Sequence, residues 1–250
     1  MVAKADPGGI NKAGAPKSVN YSIEAWGFVH GRYDSKRKAL GWTVAIGGVI
    51  VLFVVAWLLT QFAGTNAHEV QPQQWYRAAQ MSERQLTDYI HKHEIKTVLR
   101  LIGTDDGNTE SYQSDTNATQ KTGARLVVTK LPTSRLPHRS ELASLFQALD
   151  RLAANPAERP VLVHCKHGAD RTGLVTVIWL HDYQGVSFEE ARGHLAFLPY
   201  GHFALGHKLD EFIGMYEDFR KDNPRVSMKQ WVRDHYFIER DGRNNRAWYQ

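Results

Sequence analysis

The spacing of apolar positions splits the chain into two regimes. From Ala39 to Ala67 no residue is charged, and the most apolar part, Leu40–Ala63, is apolar around its whole circumference. About 20 such residues suffice to cross a bilayer as a helix, whereas a globular helix keeps a polar face. One transmembrane helix is expected over 40–63. From residue 68 the pattern becomes an alternation of short elements. Ser82-Glu83-Arg84-Gln85 has the form of a capping box and opens a helix of roughly Glu83–His93. "IKTVLRLI" (95–102), "RLVVTKL" (125–131) and "PVLVH" (160–164) read as buried strands. Asp105–Thr122 is polar, with room for a short helix. Leu142, Leu145, Phe146, Leu149 and Leu152 are spaced as one face of a helix over Ser140–Ala154. Helices are also expected over Thr172–Gln184 and, behind a Ser187 cap, over Phe188–Phe197. Such alternation predicts an α/β fold: a central, mostly parallel sheet flanked by helices.

Four segments follow from this pattern. Residues 1–39 are a basic N-terminal segment whose first part, Met1–Ser18, is rich in Gly, Ala, Pro and Lys and reads as a mobile tail. Residues 40–63 are the span, 68–222 the α/β domain, and 223–250 a C-terminal extension in which Met228–Ile238 looks like an amphipathic helix, packed on the domain or lying on a membrane. Seven Lys/Arg precede the span, while only Arg77 appears in the twenty residues after it. The excess of positive charge places the N-terminus in the cytoplasm and everything after residue 64 outside it. A cleaved signal peptide ending near Thr65-Asn66-Ala67 is the competing reading, but its apolar core is normally only about 7–15 residues and begins nearer the start. Trp75 and Tyr76 suit either a membrane interface or the packing of a first strand.

Composition narrows the function. Apolar residues make up 42% and charged residues 23% of 250, which describes a globular protein. A formal charge of +5 is scattered; it suits an anionic substrate or membrane surface and argues against nucleic acid. The single cysteine, Cys165, excludes an intrachain disulfide and an all-cysteine metal site. None of the twelve histidines stands at a recognised zinc spacing; His91 and His93 lie two apart on a predicted helix and face different ways. "YEDFRKDNPR" and "ERDGRNNR" read as solvated charged faces, and "FLPYGHFALGH" (197–207) as a loop.

The lone cysteine sits where the third strand breaks, in "VLVHCKHGADRTGLVTVIWL" (161–180). A tight loop running onto a helix N-terminus turns backbone N–H groups inward and makes an anion nest, strengthened by the helix dipole. Those dipoles and a nearby guanidinium stabilise a thiolate, which is the nucleophilic form of cysteine. Arg171 can close the cradle with its planar fork on two phosphate oxygens. Gly168 allows the turn where a side chain would obstruct the anion. Lys166 and His167 add positive potential at the mouth. The junction, Cys165 to Arg171, has the dimensions of a phosphate cup with a nucleophile at its floor.

His-Cys-x5-Arg-Thr between strand and helix resembles the signature loop of the cysteine-dependent protein tyrosine and dual-specificity phosphatases. The resemblance covers roughly residues 70–220. It includes "WYRAAQMSERQLTDYIHKHEIKTVLRLIG", similar to the opening segment of bacterial dual-specificity-like phosphatases, and "HCKHG..RTG" is close to their periplasmic members. The resemblance implies hydrolysis of phosphate monoesters through a cysteinyl-phosphate, with no metal or other cofactor. It implies Cys165 as nucleophile, Arg171 as phosphate clamp, the stretch Lys166, His167, Gly168, Ala169, Asp170 as the phosphate cradle, Thr172 assisting departure of the thiolate, and His164 orienting the loop. Phosphorylated protein is the substrate class expected first, a phospholipid or phosphoinositide the alternative. Phosphoinositide-directed relatives often carry two lysines in the loop; here only Lys166 matches and Ala169 occupies the second place, which weakens a polyphosphoinositide reading.

The family's aspartate acid, on a loop some thirty residues before the cysteine, is absent from "LPTSRLPHRS" (131–140). An alkyl leaving group needs a proton, so another group must supply it. Asp170 is the first candidate, followed by Glu141, His138, Asp105 and Asp106. The missing aspartate also allows a phosphate-binding pseudoenzyme acting as an interaction module. A sulfurtransferase fits less well, because five residues separate Cys165 from Arg171.

Overall fold

A computed structural model describes residue 38, 40–56, 64–104, 109–203 and 208–237. Two compact units are separated near residue 54. Residues 40–56 form a helix, α1, most of it in the first unit, with exposed apolar side chains that include Trp42, Val49 and Phe53. Among the described residues no helix is long and apolar enough to cross a membrane. The rest of the expected span, 57–63, lies outside the described residues, as do the expected tail Met1–Ser18 and the acid candidates Asp105 and Asp106.

The second unit is the expected α/β domain. Its strands are β1 (His68–Gln71), β2 (Trp75–Ala79), β3 (Thr97–Arg100), β4 (Arg125–Val128) and β5 (Val161–Cys165), in the order β1-β2-β5-β3-β4. Among the described residues only the β1–β2 pair is antiparallel. β2, β5, β3 and β4 are parallel, with Ala79 opposite Cys165 and Arg100 opposite His164. The chain therefore places the carboxyl ends of β2, β5 and β3 side by side, the edge where open α/β sheets hold their ligands.

Strand periodicity sends alternate side chains to two buried faces. Trp75, Leu99, Val161 and Val163 join the larger core with the helices α4 (Arg139–Ala154), α5 (Asp170–Ile178), α6 (Phe188–Arg192), α7 (Lys208–Asp222) and α8 (Met228–Asp234). Tyr76, Ala78, Val98 and Leu162 join the smaller core with α2 (Glu83–His93) and α3 (Thr109–Thr122). With helices on both faces, the strands read as continuous apolar runs, not alternating ones.

The capping box at Ser82 and Gln85 forms as expected. Other elements differ from expectation for identifiable reasons. The helix allowed for in 105–122 forms and is 14 residues long; its anchor is a buried carboxylate, Asp115, and not an apolar stripe. α5 begins at Asp170, inside the cup, and continues as a π-turn over Trp179–Tyr183. The helix expected over 188–197 stops at Arg192 and tightens into a 3-10 turn over Gly193–Leu195. The charged stretch around Tyr216 belongs to α7, whose Leu209, Phe212, Ile213 and Tyr216 are buried. Met228, Trp231 and Val232 of α8 join the larger core, so this helix packs on the domain. Trp75 and Tyr76 are buried in β2, which makes them packing residues.

Candidate active site

The cup forms at the end of β5. Cys165 is the last strand residue and is buried; Lys166 and His167 are exposed, Gly168 and Ala169 are buried, and α5 starts at Asp170. Gly168 has φ +69°, and a Cβ there would lie 2.6 Å from the backbone of Ala78 and Ala79. Glycine is thus required twice, by backbone conformation and by the contact with β2.

The carbonyls of the loop fix its orientation. That of Lys166 accepts from the Gln80 N–H at 3.3 Å, and that of His167 from Asn66 Nδ2 at 3.0 Å. Arg77 Nη2 donates to Gly168 O at 2.8 Å and to Ala169 O at 3.3 Å. All these donors belong to β2, the residue after it, or the segment just before β1. In a trans peptide the N–H points opposite to the C=O. The N–H groups of His167, Gly168, Ala169 and Asp170 consequently point away from β2, toward the side on which Arg171 lies. Arg171 is held there by carbonyls at the ends of the neighbouring strands: Nη1 lies 3.4 Å from both Leu101 O and Leu131 O. Its Nε is buried with no hydrogen-bond partner among the described residues. Convergent amides, a helix N-terminus and an unsatisfied guanidinium N–H, set above a thiol, form an anion site.

Thr172 is fully buried, and its Oγ1 has no hydrogen-bond partner among the described residues. His164, one residue before the cysteine, is buried with Nε2 3.2 Å from Asp115 Oδ2. Asp115 also receives Arg100 Nη1 at 2.5 Å and Gln80 Nε2 at 2.9 Å. Burial alone would raise this carboxyl, but His164, Arg100 and Gln80 outweigh it and hold it below its usual range. Arg100 further donates to Ile102 O and Ser111 Oγ.

Sequence patterns do not single out Arg77, although it touches the loop directly. Its side chain is 0% exposed; Nη1 donates to His194 O at 2.8 Å, and the guanidinium lies 3.9 Å from the Tyr200 ring centroid. Burial lowers it to about 10, so it stays cationic at neutral pH. An arginine inside a buried strand is the available signal, since such a charge must be paired. Asn66 carries no comparable signal. It is buried; besides His167 O, its Nδ2 donates to Tyr200 O, and its Oδ1 pairs with His68 Nε2 at 2.9 Å.

The acid candidates separate clearly. Asp170 Oδ1 lies 2.7 Å from His202 Nδ1, at the rim of the cup. Glu141 is taken by Arg135, at 2.6 and 2.9 Å, and by the His138 N–H at 2.8 Å. Arg135 and these bonds outweigh burial and keep the Glu141 carboxyl low, making it a helix cap and a poor proton donor. His138 is the N-cap of α4. The expected positive charge of His167 is also revised: partial burial and then Lys166 hold its imidazole below 6.5, leaving Lys166 and Arg171 as the cations of the mouth. Among the described residues no group of His, Cys, Asp and Glu is arranged to hold a metal.

The chain is 30% identical to the dual specificity protein phosphatase TpbA of two Pseudomonas aeruginosa strains over 130 residues, 52% of this chain and 53% of the relative. It thus spans about half the length of the curated relatives it matches. Among solved structures, Tk-PTP in its active form is 21% identical with a TM-score of 0.48, over 61% of this chain and 97% of that one. The P. aeruginosa TpbA structure is 22% identical with a TM-score of 0.46, over 64% and 92%. The model of the Tyrosine phosphatase family matches residues 59–191, more than half of the sequence and inclusive of the whole cup. The chain belongs to the tyrosine phosphatase family.

Proposed function

We propose that the domain is a cysteine-based phosphatase that hydrolyses phosphate monoesters, with phosphotyrosine or phosphoserine/threonine of proteins as substrates. The carrying observation is the loop whose carbonyls are tied back to Asn66, Arg77 and Gln80 while Arg171 leaves Nε unsatisfied. That arrangement is preorganised for a dianion.

In this reading Cys165 Sγ attacks phosphorus, and the S–P bond forms as the ester P–O bond breaks. Arg171 and the loop amides take the charge on the equatorial oxygens. Asp170 gives a proton to the departing oxygen. Water then attacks the thiophosphate and the thiolate departs, with the Thr172 hydroxyl as its hydrogen-bond donor. His164, buried 3.2 Å from Asp115, orients the loop in this reading. The aspartate missing from 131–140 also fits a binding module, and the two readings separate on an activated aryl phosphate, whose leaving group barely needs an acid. Turnover abolished by Cys165→Ser supports the enzyme; binding without turnover supports the module.

The charge-free stretch 40–63, with seven Lys/Arg before it, supports a tether that holds the domain outside the cytoplasm. A tether would concentrate the enzyme near membrane-bound phosphoproteins. Extraction of the full chain by detergent but not by high salt or alkali tests this part separately.

A further inference from the structure

A second polar network lies against the cup. His202 is 2% exposed and stands between two carboxylates: Nδ1 is 2.7 Å from Asp170 Oδ1 and Nε2 is 2.9 Å from Asp210 Oδ1. Asp170 opens α5 and Asp210 lies in the first turn of α7. A neutral imidazole has a single N–H and cannot donate to two ionised carboxylates. The geometry therefore calls for two protons shared among three groups. Both can sit on the imidazole, or one can sit there and one on a carboxyl. The two arrangements hold the same number of protons and differ by one transfer across a 2.7 Å hydrogen bond.

We propose that His202, braced by Asp210, is a positioning residue that fixes the Asp170 carboxyl at the rim of the cup and stores the proton Asp170 passes to the departing oxygen. This rests on the phosphatase reading above. In the first step the S–P bond forms, the ester P–O bond breaks, and the shared proton leaves on the departing oxygen by way of the Asp170 carboxyl. In the second step the attacking water returns a proton to the pair as the S–P bond breaks. The proton count closes over one turnover.

The titratable groups facing the pair are Asp210 from α7, the Arg77 cation from β2, and the His167 imidazole from the loop. Burial disfavours a charge on His202, but Asp170 and Asp210 outweigh it and raise its pKa above 6.5. Removing the Asp210 charge therefore weakens the hold of the group on the shared proton.

The test compares Asp210→Asn, His202→Phe and Cys165→Ser on an aryl and an alkyl phosphate over a range of pH. Asp210→Asn is expected to lose about tenfold more on the alkyl than on the aryl ester, and to move the alkaline limb of kcat to lower pH. His202→Phe is expected to widen the alkyl-over-aryl loss to about 10²-fold. Asp210→Asn is isosteric and decides the same question should His202→Phe fail to fold. Equal losses on both esters, or an unmoved alkaline limb in Asp210→Asn, would overturn the proposal with the nucleophile still in place. Aryl turnover surviving in Cys165→Ser would instead overturn the phosphatase reading, and this proposal with it.

Discussion

Nη2 of Arg77 donates to the carbonyl of Gly168 at 2.8 Å, joining a buried strand to the turn of the anion cup. The same guanidinium holds Ala169 O and His194 O, so one side chain sets the direction of two loop peptides and anchors the segment after α6. Lysine at this position would keep the charge, but a single ammonium cannot span carbonyls on two segments. Arg77→Lys is expected to fold with a loss of about 1–3 kcal/mol for each buried carbonyl left unpaired. Phosphate affinity is expected to fall about tenfold or more. Calorimetric titration with inorganic phosphate beside thermal melting checks both.

Gly168→Ala tests the loop from the other direction. The new Cβ would meet the backbone of β2 at 2.6 Å, and φ is +69°. Strain of about 1–3 kcal/mol for a side chain at positive φ adds to an overlap that no side-chain rotation relieves. The variant is expected to lower the melting temperature and to abolish turnover, because the loop must lift away from Ala78 and Ala79. Unchanged kinetics would show that the contact with β2 does not set the cup.

The buried cluster beneath His164 makes a third prediction. Arg100 and Asp115 are both 0% exposed at their side chains and pair at 2.5 Å. Removing one partner of such a pair costs about 3–5 kcal/mol, while replacing both by apolar groups of similar volume is often close to neutral. Arg100→Met is therefore expected to be strongly destabilised in urea titration. Arg100→Met/Asp115→Leu is expected to recover much of that loss while still misplacing His164 and slowing turnover.

What is local is legible in the sequence. A strand that breaks at Cys165, a glycine in the turn and an arginine at the start of a helix all fall within ten residues, and the structure assembles them as one cup. β3, β4 and β5 are likewise visible as apolar runs: β3 is trimmed at both ends, β4 at its C-terminal end, and β5 is shifted by one residue so that it ends on Cys165. The frame that aims the loop is not visible, because its bonds join residues far apart in sequence. Asn66 reaches His167 across 101 positions, Arg77 reaches Gly168 across 91, and His202 reaches Asp170 across 32. α3 is longer than its pattern suggests because its buried face is Asp115, Ala118 and Thr119, which gives no apolar period. The anchors of α7 are hidden among its charges. The arginines of "WYRAA" and "TVLR" are readable clues, as charges inside strands that must be satisfied.

Acid should loosen the cup from below. His194 contacts the Tyr200 ring beside Arg77; burial first, then Arg77 and His68, push its pKa down from 6.5 to about 4. With the folded value depressed, the neutral imidazole contributes stability that is full above about 6.5 and is lost as pH falls toward 4. The melting temperature is expected to decline across that window. His194→Gln is expected to flatten the decline, since an amide takes up no proton; an identical slope in the variant would show that another group carries it.

The central claim is that Cys165 carries the phosphoryl group. The direct measurement is rapid acid quench of the enzyme during turnover of an aryl phosphate, followed by mass analysis of the peptide containing residue 165. A phosphate adduct on that peptide, absent from Cys165→Ser together with turnover, is the predicted result. Steady turnover with no adduct, or hydrolysis persisting in Cys165→Ser, would contradict it.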